Sequence, residues 1–340
     1  MGSMAHLAIA ALALLPASVE SAESPDSGSA GIEVVRVNRQ RSFGSSVPAG
    51  NYSGVAWLGG SRYAVVSDKS AGDGFYVFDI DIDSVSGKVR GVSNKGFRAS
   101  GTPNRDQEGI AYEPRRGRVY VSGEKDNRVL EYDSAGLLTG RQLALPEVYA
   151  TAGSRYGIEA LTYNASTSRF WLSTESTLPC DGRQAGYEAP VRNRLRLQCF
   201  DDSLKPGPFF YYEMDVSEVG RKPSDYAMGV SELCALDDGR LLVMEREFFV
   251  SPSKLGSWVN VKLFVVSPAD SLRGCLLPKA KLLEFKTRLS LFKYNLANYE
   301  GMCLGPRLAG GERVLLLVSD SQNRYGGVLK DYFKTIVLRF

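Results

Sequence analysis

The stretch Glu108-Gly-Ile-Ala-Tyr112, followed by Val119-Tyr-Val-Ser-Gly-Glu124, carries the pattern that decides the fold. A polar or acidic residue opens a short apolar strand, a turn follows, and a second strand ends on an acid. The pair recurs about every 50 to 70 residues, and repeats near this length with four strands each are typical of propeller blades. The other copies are Ser53–Trp57 with Tyr63–Asp68, Glu159–Tyr163 with Phe170–Glu175, Glu232–Leu236 with Leu241–Glu245, and Glu300–Leu304 with Leu315–Asp320.

The segments between these copies are also strand-like. They are short runs rich in Val, Tyr, Phe and Leu, bounded by turn-forming residues, and long amphipathic helical periods are hard to find. We therefore predict an all-β chain that forms a β-propeller of four-stranded antiparallel blades around a central channel. Five blade repeats are visible, and a sixth would have to lie in a diverged stretch. The run Ile32–Val37 has no repeat of its own, so we expect it to pair with the last strands and close the ring.

Residues 24–340 are predicted to form this single domain, with a loop insertion at 176–206 that lengthens the third interval. Residues 1–23 are interpreted as a tag remnant, Met1–Met4, followed by a signal peptide whose apolar run is Leu7–Leu15. A buried or disordered N-terminus is the alternative. The run is shorter than the roughly 20 residues that span a bilayer. We expect an exported, periplasmic or secreted protein with no stable membrane insertion.

Composition excludes several classes of chemistry. Apolar residues make up 44% of the chain, enough for a packed core, and the only histidine is His6. Removal of the signal peptide would leave no histidine, which excludes a Ser-His-Asp triad, a Cys-His pair and a His-ligated zinc site. The net charge is +3, from Lys+Arg 41 against Asp+Glu 38. No broad basic field points to nucleic acid, and we expect a monomer.

The chain has five cysteines. Cys180 and Cys199 bracket a polar, Arg-rich stretch and are predicted to form a disulfide in an exported protein. Cys234, Cys275 and Cys303 lie in apolar runs and are interpreted as core thiols. The sequence has no CxxC pair, so structural zinc is not expected.

The repeat brings acidic residues together. In a propeller the first strand of each blade lines the channel and the second returns antiparallel beside it, so the start of one and the end of the other share a channel mouth. Two concentric acidic sets are predicted there. The inner set is Glu108, Glu159, Glu232 and Glu300, and the second set is Asp68, Glu124, Glu175, Glu245 and Asp320.

Four converging negative charges are unfavourable by several kcal/mol unless something compensates them. Three interpretations remain open. The inner set holds a hard cation, for which Ca²⁺ suits a flexible carboxylate ring better than Mg²⁺. Alternatively the acids pair with Arg and Lys in an anion pocket, or each Glu accepts backbone N–H groups from the next blade and fastens the ring.

Basic residues accompany the acids in the same part of the repeat. They are Lys69, Lys125, Arg128, Arg155, Arg246 and Arg324. One interpretation is ordinary salt bridging at a loop-rich face. In the other, Lys69, Arg155, Arg246 and Arg324 bind an anionic substrate beside the cation, and Glu124, Glu175 or Glu245 orients the attacking water as a base.

These motifs resemble a known family, the phytase-like proteins described as having esterase-like activity. The matching segments are Tyr52–Trp57, Asp106–Tyr112, Ser231–Arg246, and Asn298–Pro306 with Leu315–Asp320. The resemblance implies a propeller, export in bacteria and hydrolysis of esters, phosphate esters among them. Ser53 departs from the glutamate of the other repeats and leaves one side of the predicted ring uncharged. No close motif match to the calcium-dependent phytase propellers is present.

We therefore expect an exported, calcium-dependent hydrolase of phosphate or carboxylic esters that acts on a small anionic substrate. A non-catalytic propeller that binds a ligand or partner at its mouth is the alternative from another class. A calcium-dependent lactonase is the third, less favoured because proton transfer in such sites often uses histidine.

Overall fold

The computed structural model describes residues 31–153, 157–292 and 294–340. The predicted signal peptide and Arg155 lie outside these ranges. Within them the chain is almost entirely β-structure, and its helical segments are three short 3-10 turns, Glu147–Thr151, Asp270–Leu272 and Tyr325–Gly327. Over the same residues, no helix has the length and apolar character needed to cross a bilayer.

Five antiparallel sheets stand in a ring, which confirms the predicted propeller and gives it five blades. Blade I comprises β3 (Tyr52–Gly59), β4 (Arg62–Ser67), β5 (Gly74–Ile82) and β6 (Val89–Ala99). Blade II comprises β7 (Gln107–Glu113), β8 (Arg118–Gly123), β9 (Arg128–Tyr132) and β10 (Leu138–Gln142). Blade III comprises β11 (Ile158–Asn164), β12 (Arg169–Thr174), β13 (Arg194–Phe200) and β14 (Pro206–Glu213). Blade IV comprises β15 (Asp225–Ala235), β16 (Leu241–Val250), β17 (Trp258–Val266) and β18 (Lys279–Arg288).

Blade V joins the two ends of the described chain. It comprises β19 (Asn298–Arg307), β20 (Arg313–Asp320), β21 (Tyr332–Arg339) and β1 (Glu33–Val37), with the short β2 (Arg41–Ser42) also on β21. β1 pairs antiparallel with β21 as the outermost strand. The prediction that this segment closes the ring is therefore confirmed, and β21 is left with no open edge.

The core lies between blades. Five of the apolar clusters each fill one interface between neighbouring blades. Between blades I and II, for example, Val66 packs with Val121 and Tyr132. Both faces of the central strands are covered in this way, which explains why β4, β8 and β20 read as continuous apolar runs.

Every inner strand carries a register shift near its start, at the same end of the channel. The residues at these bulges are Ser53, Glu108, Glu159, Ser231 and Glu300. A bulge re-aims the side chain that it carries. In three blades the next residue is glycine, and a Cβ on Gly54 would lie 2.4 Å from the Glu108 carbonyl oxygen. The inner strands therefore approach closely and make a narrow channel.

Two predictions for 176–206 require correction. The segment is not all loop, since it contains β13 and the start of β14. In β13 Leu195, Leu197 and Cys199 are buried and alternate with Arg194 and Arg196, the period of a half-buried strand.

The predicted disulfide is also absent, because Cys180 and Cys199 are both free thiols. Cys199 is buried in the cluster between blades III and IV. The exposed Cys180 instead lies 3.7 Å from Nη2 of Arg196, which is on the opposite face of β13.

Candidate functional site at the acidic channel mouth

Blade IV meets the mouth one residue out of the predicted register. In the other four blades, the acid after or at the end of the second strand pairs with the residue two positions before the bulge on the first strand. The backbone N–H groups of Asp68, Glu124 and Glu175 donate to that residue, and Asp320 pairs with Asn298. In blade IV the residue at this position is Arg246, opposite Gly229. Its bulge residue is Ser231. A shift of one residue turns a strand side chain to the other face, so Glu232 and Glu245 leave the predicted sets.

Three predicted inner glutamates do meet at the mouth. Burial raises the pKa of Glu108, Glu159 and Glu300 well above the usual range, and the charges of neighbouring acids raise it further. Glu108 and Glu159 are each 7% exposed. Within the described ranges neither carboxylate has a hydrogen-bond donor or a basic partner at contact distance. The mouth therefore holds two buried carboxylates that no described donor or basic group contacts, although the charge of Arg246 lowers the pKa of Glu159.

Arg246 occupies one side of the mouth and is 5% exposed. Its Nη2 donates to Glu175, and its Nη1 donates to Glu300 at 2.7 Å and to the Asn298 side chain at 2.9 Å. A guanidinium that is shared between two carboxylates from two other blades is already neutralised. Its position fits charge pairing better than the predicted binding of a substrate anion.

The opposite side of the mouth, between blades I and II, carries a second acidic group. Carboxylate oxygens of Asp68, Asp106 and Glu108 all lie within 4.8 Å of one another. Lys69 Nζ lies 2.7 Å from Asp106 and 3.1 Å from Asp68, and Lys125 Nζ lies 3.5 Å from Asp106. Asp106 is absent from the predicted sets. The sequence Asp106-Gln-Glu-Gly could have indicated it, because Asp106 stands two residues before Glu108 and side chains two apart on a strand share a face.

Hydrogen bonds hold the Asp106 loop in place. Asp106 has a left-handed backbone, φ 53°, and donates its N–H to the Asn104 side chain at 2.8 Å. Asn104 also donates to Gln107, and Gln107 donates to the fully buried Asp73 at 3.0 Å. Tyr132 of β9 donates to the same Asp73 at 2.8 Å. The acidic group is therefore fixed by a connected polar network before any ligand binds.

Glu232, predicted as a metal ligand, lies inside the channel wall instead. One carboxylate oxygen accepts the backbone N–H groups of Leu161, at 3.0 Å, and Leu233, at 2.9 Å. Burial raises its pKa well above the usual range, while these N–H groups and that of Met302 oppose the shift. The donors belong to inner strands of blades III, IV and V. For this glutamate the structure supports the third interpretation, a fastener between blades.

Two more predicted site residues are engaged elsewhere. Glu245 accepts bonds from Tyr212 Oη and Lys279 Nζ, each at 2.6 Å, at the interface of blades III and IV. The prediction that it orients water at the mouth is corrected by this placement. Arg324 donates to Asp331 at 2.6 Å and to the Val47 carbonyl oxygen, so it ties blade V to the segment before blade I.

Glu124 and Asp320 keep their predicted places in the second set. Burial raises the pKa of Glu124 to about 6, against the opposing bond from the Gly157 N–H at 3.1 Å. Burial likewise raises the pKa of Asp320 to about 7. Carboxyl groups that titrate near neutrality are suited to general acid–base work. Glu124 lies near Glu108 and Glu159, because its charge contributes to the raised pKa of both.

The other end of the channel has a different character. A cavity of ≈ 250 Å³ there is lined by all five blades, with Trp57, Tyr112 and Tyr163 on its wall. Its only charged lining residues among those described are Asp237 and Arg313, which pair at 3.4 Å. The uncompensated charge is therefore concentrated at the acidic mouth.

Comparison with solved structures finds matches of low sequence identity. Endo-arabinase from Bacteroides thetaiotaomicron VPI-5482 is 12% identical over 87% of this chain and 96% of that one, with a TM-score of 0.48. A luciferin-regenerating enzyme is 10% identical over 88% and 94%, with a TM-score of 0.44. Streptogramin B lyase is 10% identical over 90% and 99%, with a TM-score of 0.40. These values carry no argument about activity. No curated protein matches the sequence.

The phytase-like family, described as "esterase-like activity of phytase", matches residues 47–322. This range covers most of the chain and includes all the acids at the mouth. The chain therefore belongs to the phytase-like family.

Proposed function

We propose that this protein is an exported, divalent-cation-dependent hydrolase of phosphate or carboxylic esters, and that the acidic mouth is its active site. The observation that carries the proposal is the pair of buried glutamates, Glu108 and Glu159, to which the described residues supply no hydrogen-bond donor and no basic group at contact distance. Burying an uncompensated carboxylate is costly, and a bound cation removes that cost. Membership of the phytase-like family agrees with ester hydrolysis.

The donor set fits a hard cation. Among the described residues, the mouth offers carboxylate oxygens and no histidine, a combination that suits Ca²⁺. When bound, the cation would polarise the ester and lower the pKa of water. An anionic substrate also needs a positive charge at a mouth that carries mostly acids, because these acids would otherwise repel it.

Residues of this chain supply the remaining roles. Glu124, whose pKa is about 6, is placed to accept the proton of the attacking water. Lys69 and Lys125 are 63% and 56% exposed and stand at the entrance, where their ammonium groups can contact the substrate anion. Arg246 holds Glu175 and Glu300 in position and acts through them.

A substrate panel tests this proposal. Purified protein is assayed on aryl phosphate, aryl acetate and lactone substrates, with calcium and with chelator. Chelator-sensitive turnover of the phosphate or the acetate is expected. Turnover of lactones alone would indicate the lactonase, and no turnover together with a calcium-dependent rise in melting temperature would indicate a binding propeller.

Glu124→Gln tests the proposed base. We expect kcat to fall by about 10² to 10⁴-fold, the usual contribution of a general base. Glu147→Gln is the matched control, since Glu147 is an exposed glutamate in the 3-10 turn that follows blade II and should leave kcat unchanged. Equal rates for the two variants would exclude Glu124 as the base.

Export and a monomeric state belong to the same proposal. The export proposal rests on the apolar run Leu7–Leu15 and the small residues after it. N-terminal sequencing of protein recovered from the periplasm or medium of a bacterial host checks for cleavage near residue 23. Light scattering of the purified protein checks for a single chain, of 37.1 kDa before processing.

A further inference from the structure

We propose that the cation binds off the channel axis, at the seam between blades I and II, to Asp68, Asp106 and Glu108. The inference rests on the proposed function in one respect, that the acidic mouth takes a divalent cation. It replaces the predicted ring of Glu108, Glu159, Glu232 and Glu300 by a site that shares only Glu108 with it. We call the three carboxylates the seam site.

The geometry of the seam site suits Ca²⁺. Calcium binds oxygen at about 2.3 to 2.6 Å, so two of its ligand oxygens are at most about 5 Å apart. The three seam carboxylates present oxygens within 4.8 Å of one another. The spacing is therefore within the range that the ligands of one ion can span.

Unused bonding capacity points to the same place. Glu108 is 7% exposed, and no described residue donates to its carboxylate or pairs with it. One oxygen of Asp68, Oδ1, is also buried and has no hydrogen-bond partner within the described part of the chain. Two of the three carboxylates thus have unused acceptor capacity, and the charge of Asp68 raises the pKa of Glu108, so a cation between them would be favourable.

The charges around the mouth favour the seam over the channel axis. On the far side, Arg246 is buried and already bonded to Glu175 and Glu300. At the seam the positive charges are Lys69 and Lys125, which are exposed and sit on flexible stems. A lysine that bonds carboxylates through an exposed ammonium group can swing into solvent when a metal takes its place, whereas a buried, doubly bonded arginine cannot.

Calcium titration of the chelator-treated, full-length protein tests the seam site. Binding is measured by calorimetry, and the melting temperature is recorded with and without calcium. We expect one site, and Asp106→Asn and Glu108→Gln should each weaken affinity by at least about tenfold, since affinity follows the charge of the ligands. Glu159→Gln should change it by less than either seam variant, because Glu159 is outside the group of oxygens that lie within 4.8 Å of one another and acts on Glu108 through its charge alone. Asp202→Asn is the matched control. Asp202 is exposed and follows β13, and the end of β13 pairs with the start of β12, far from the mouth.

Stability separates a ligand role from a fastening role. Without calcium, Glu108→Gln should raise the melting temperature, because the amide carries no charge for burial to oppose. If Glu108 fastened the blades instead, the same variant would melt at a lower temperature. Asp106→Asn gives an independent answer should Glu108→Gln fold poorly.

The outcomes also separate this inference from the proposed function. Loss of calcium binding in Glu159→Gln, with binding kept in Asp106→Asn, would overturn the seam site while calcium-dependent turnover stood. If calcium binding depends on the seam carboxylates but the protein hydrolyses none of the test esters, the seam site is supported and the proposed hydrolase function is rejected. A wild-type protein that gives no heat of calcium binding and no shift in melting temperature would overturn the seam site as well.

Discussion

Arg246 is a buried guanidinium whose carboxylate partners, Glu175 and Glu300, belong to two other blades. Its removal would leave two buried acids without their counter-charge. Breaking a buried pair in this way typically costs about 3–5 kcal/mol. Arg246 therefore stabilises the contacts among three blades at the mouth, and not its own blade alone.

We predict that Arg246→Met lowers the free energy of unfolding by about 3–5 kcal/mol near pH 8. The loss should be smaller near pH 5, because the raised pKa of Glu300 lets that carboxyl take up a proton there. Urea unfolding at both pH values measures it. Arg62→Gln, an exposed arginine at the start of β4, is the control and should have little effect. Equal stability of Arg246→Met and wild type would contradict the paired role.

At this scale the sequence predicts part of the site. Glu108, Glu159, Glu300, Glu124 and Asp320 lie where the repeat predicts. Blade IV is different, since Ser231-Glu232 and Glu245-Arg246 each put an acid beside the position that faces the mouth. Two registers then fit the pattern equally well, and only the backbone pairing of β15 with β16 distinguishes them.

The inner strands are the elements that fix the mouth. Their bulges occur at the same level in all five blades, and the glycine that follows the bulge in three of them allows the next strand to approach. Turn and strand patterns in the sequence are sufficient to predict these strands and the closure by β1. They do not reveal the bulges, because an extra residue in a short strand leaves the apolar alternation almost unchanged.

We predict that Gly54→Ala destabilises the protein by about 1–3 kcal/mol, the usual cost of overpacking. Its Cβ would lie 2.4 Å from the Glu108 carbonyl oxygen, so β3 and β7 would have to separate. Gly91→Ala in β6 is the matched control, since a Cβ added there would meet no described atom within 4 Å. Thermal and urea unfolding of both variants measure the effect. A Gly54→Ala protein as stable as Gly91→Ala would show that the inner strands are not closely packed.

For the molecule as a whole, the buried acids of the mouth and of the channel wall set the pH dependence of stability. Burial raises the pKa of Glu124 to about 6 and that of Asp320 to about 7, and it raises the pKa of Glu232 well above the usual range. In the unfolded chain these carboxyls titrate near about pH 4. At pH values between the pKa of these carboxyls in the unfolded chain and their pKa in the folded protein, the folded protein binds more protons than the unfolded one. Stability therefore falls as pH rises.

We predict that the melting temperature of chelator-treated protein falls as the pH rises from about 5 to about 8. Calcium should reduce this fall in melting temperature. At high pH the bound cation compensates the negative charge of the carboxylates, which protons neutralise at low pH. Scanning calorimetry at low ionic strength with and without calcium measures both effects. A melting temperature that rises over this interval in chelator would contradict the burial of uncompensated acids at the mouth.

The most direct measurement is the position of a cation in crystals grown with terbium, a calcium substitute whose anomalous scattering locates it. We predict one peak at the seam of blades I and II, about 2.3 to 2.6 Å from oxygens of Asp68, Asp106 and Glu108. A peak on the channel axis between Glu159 and Glu300, or no peak at the mouth at all, would contradict it.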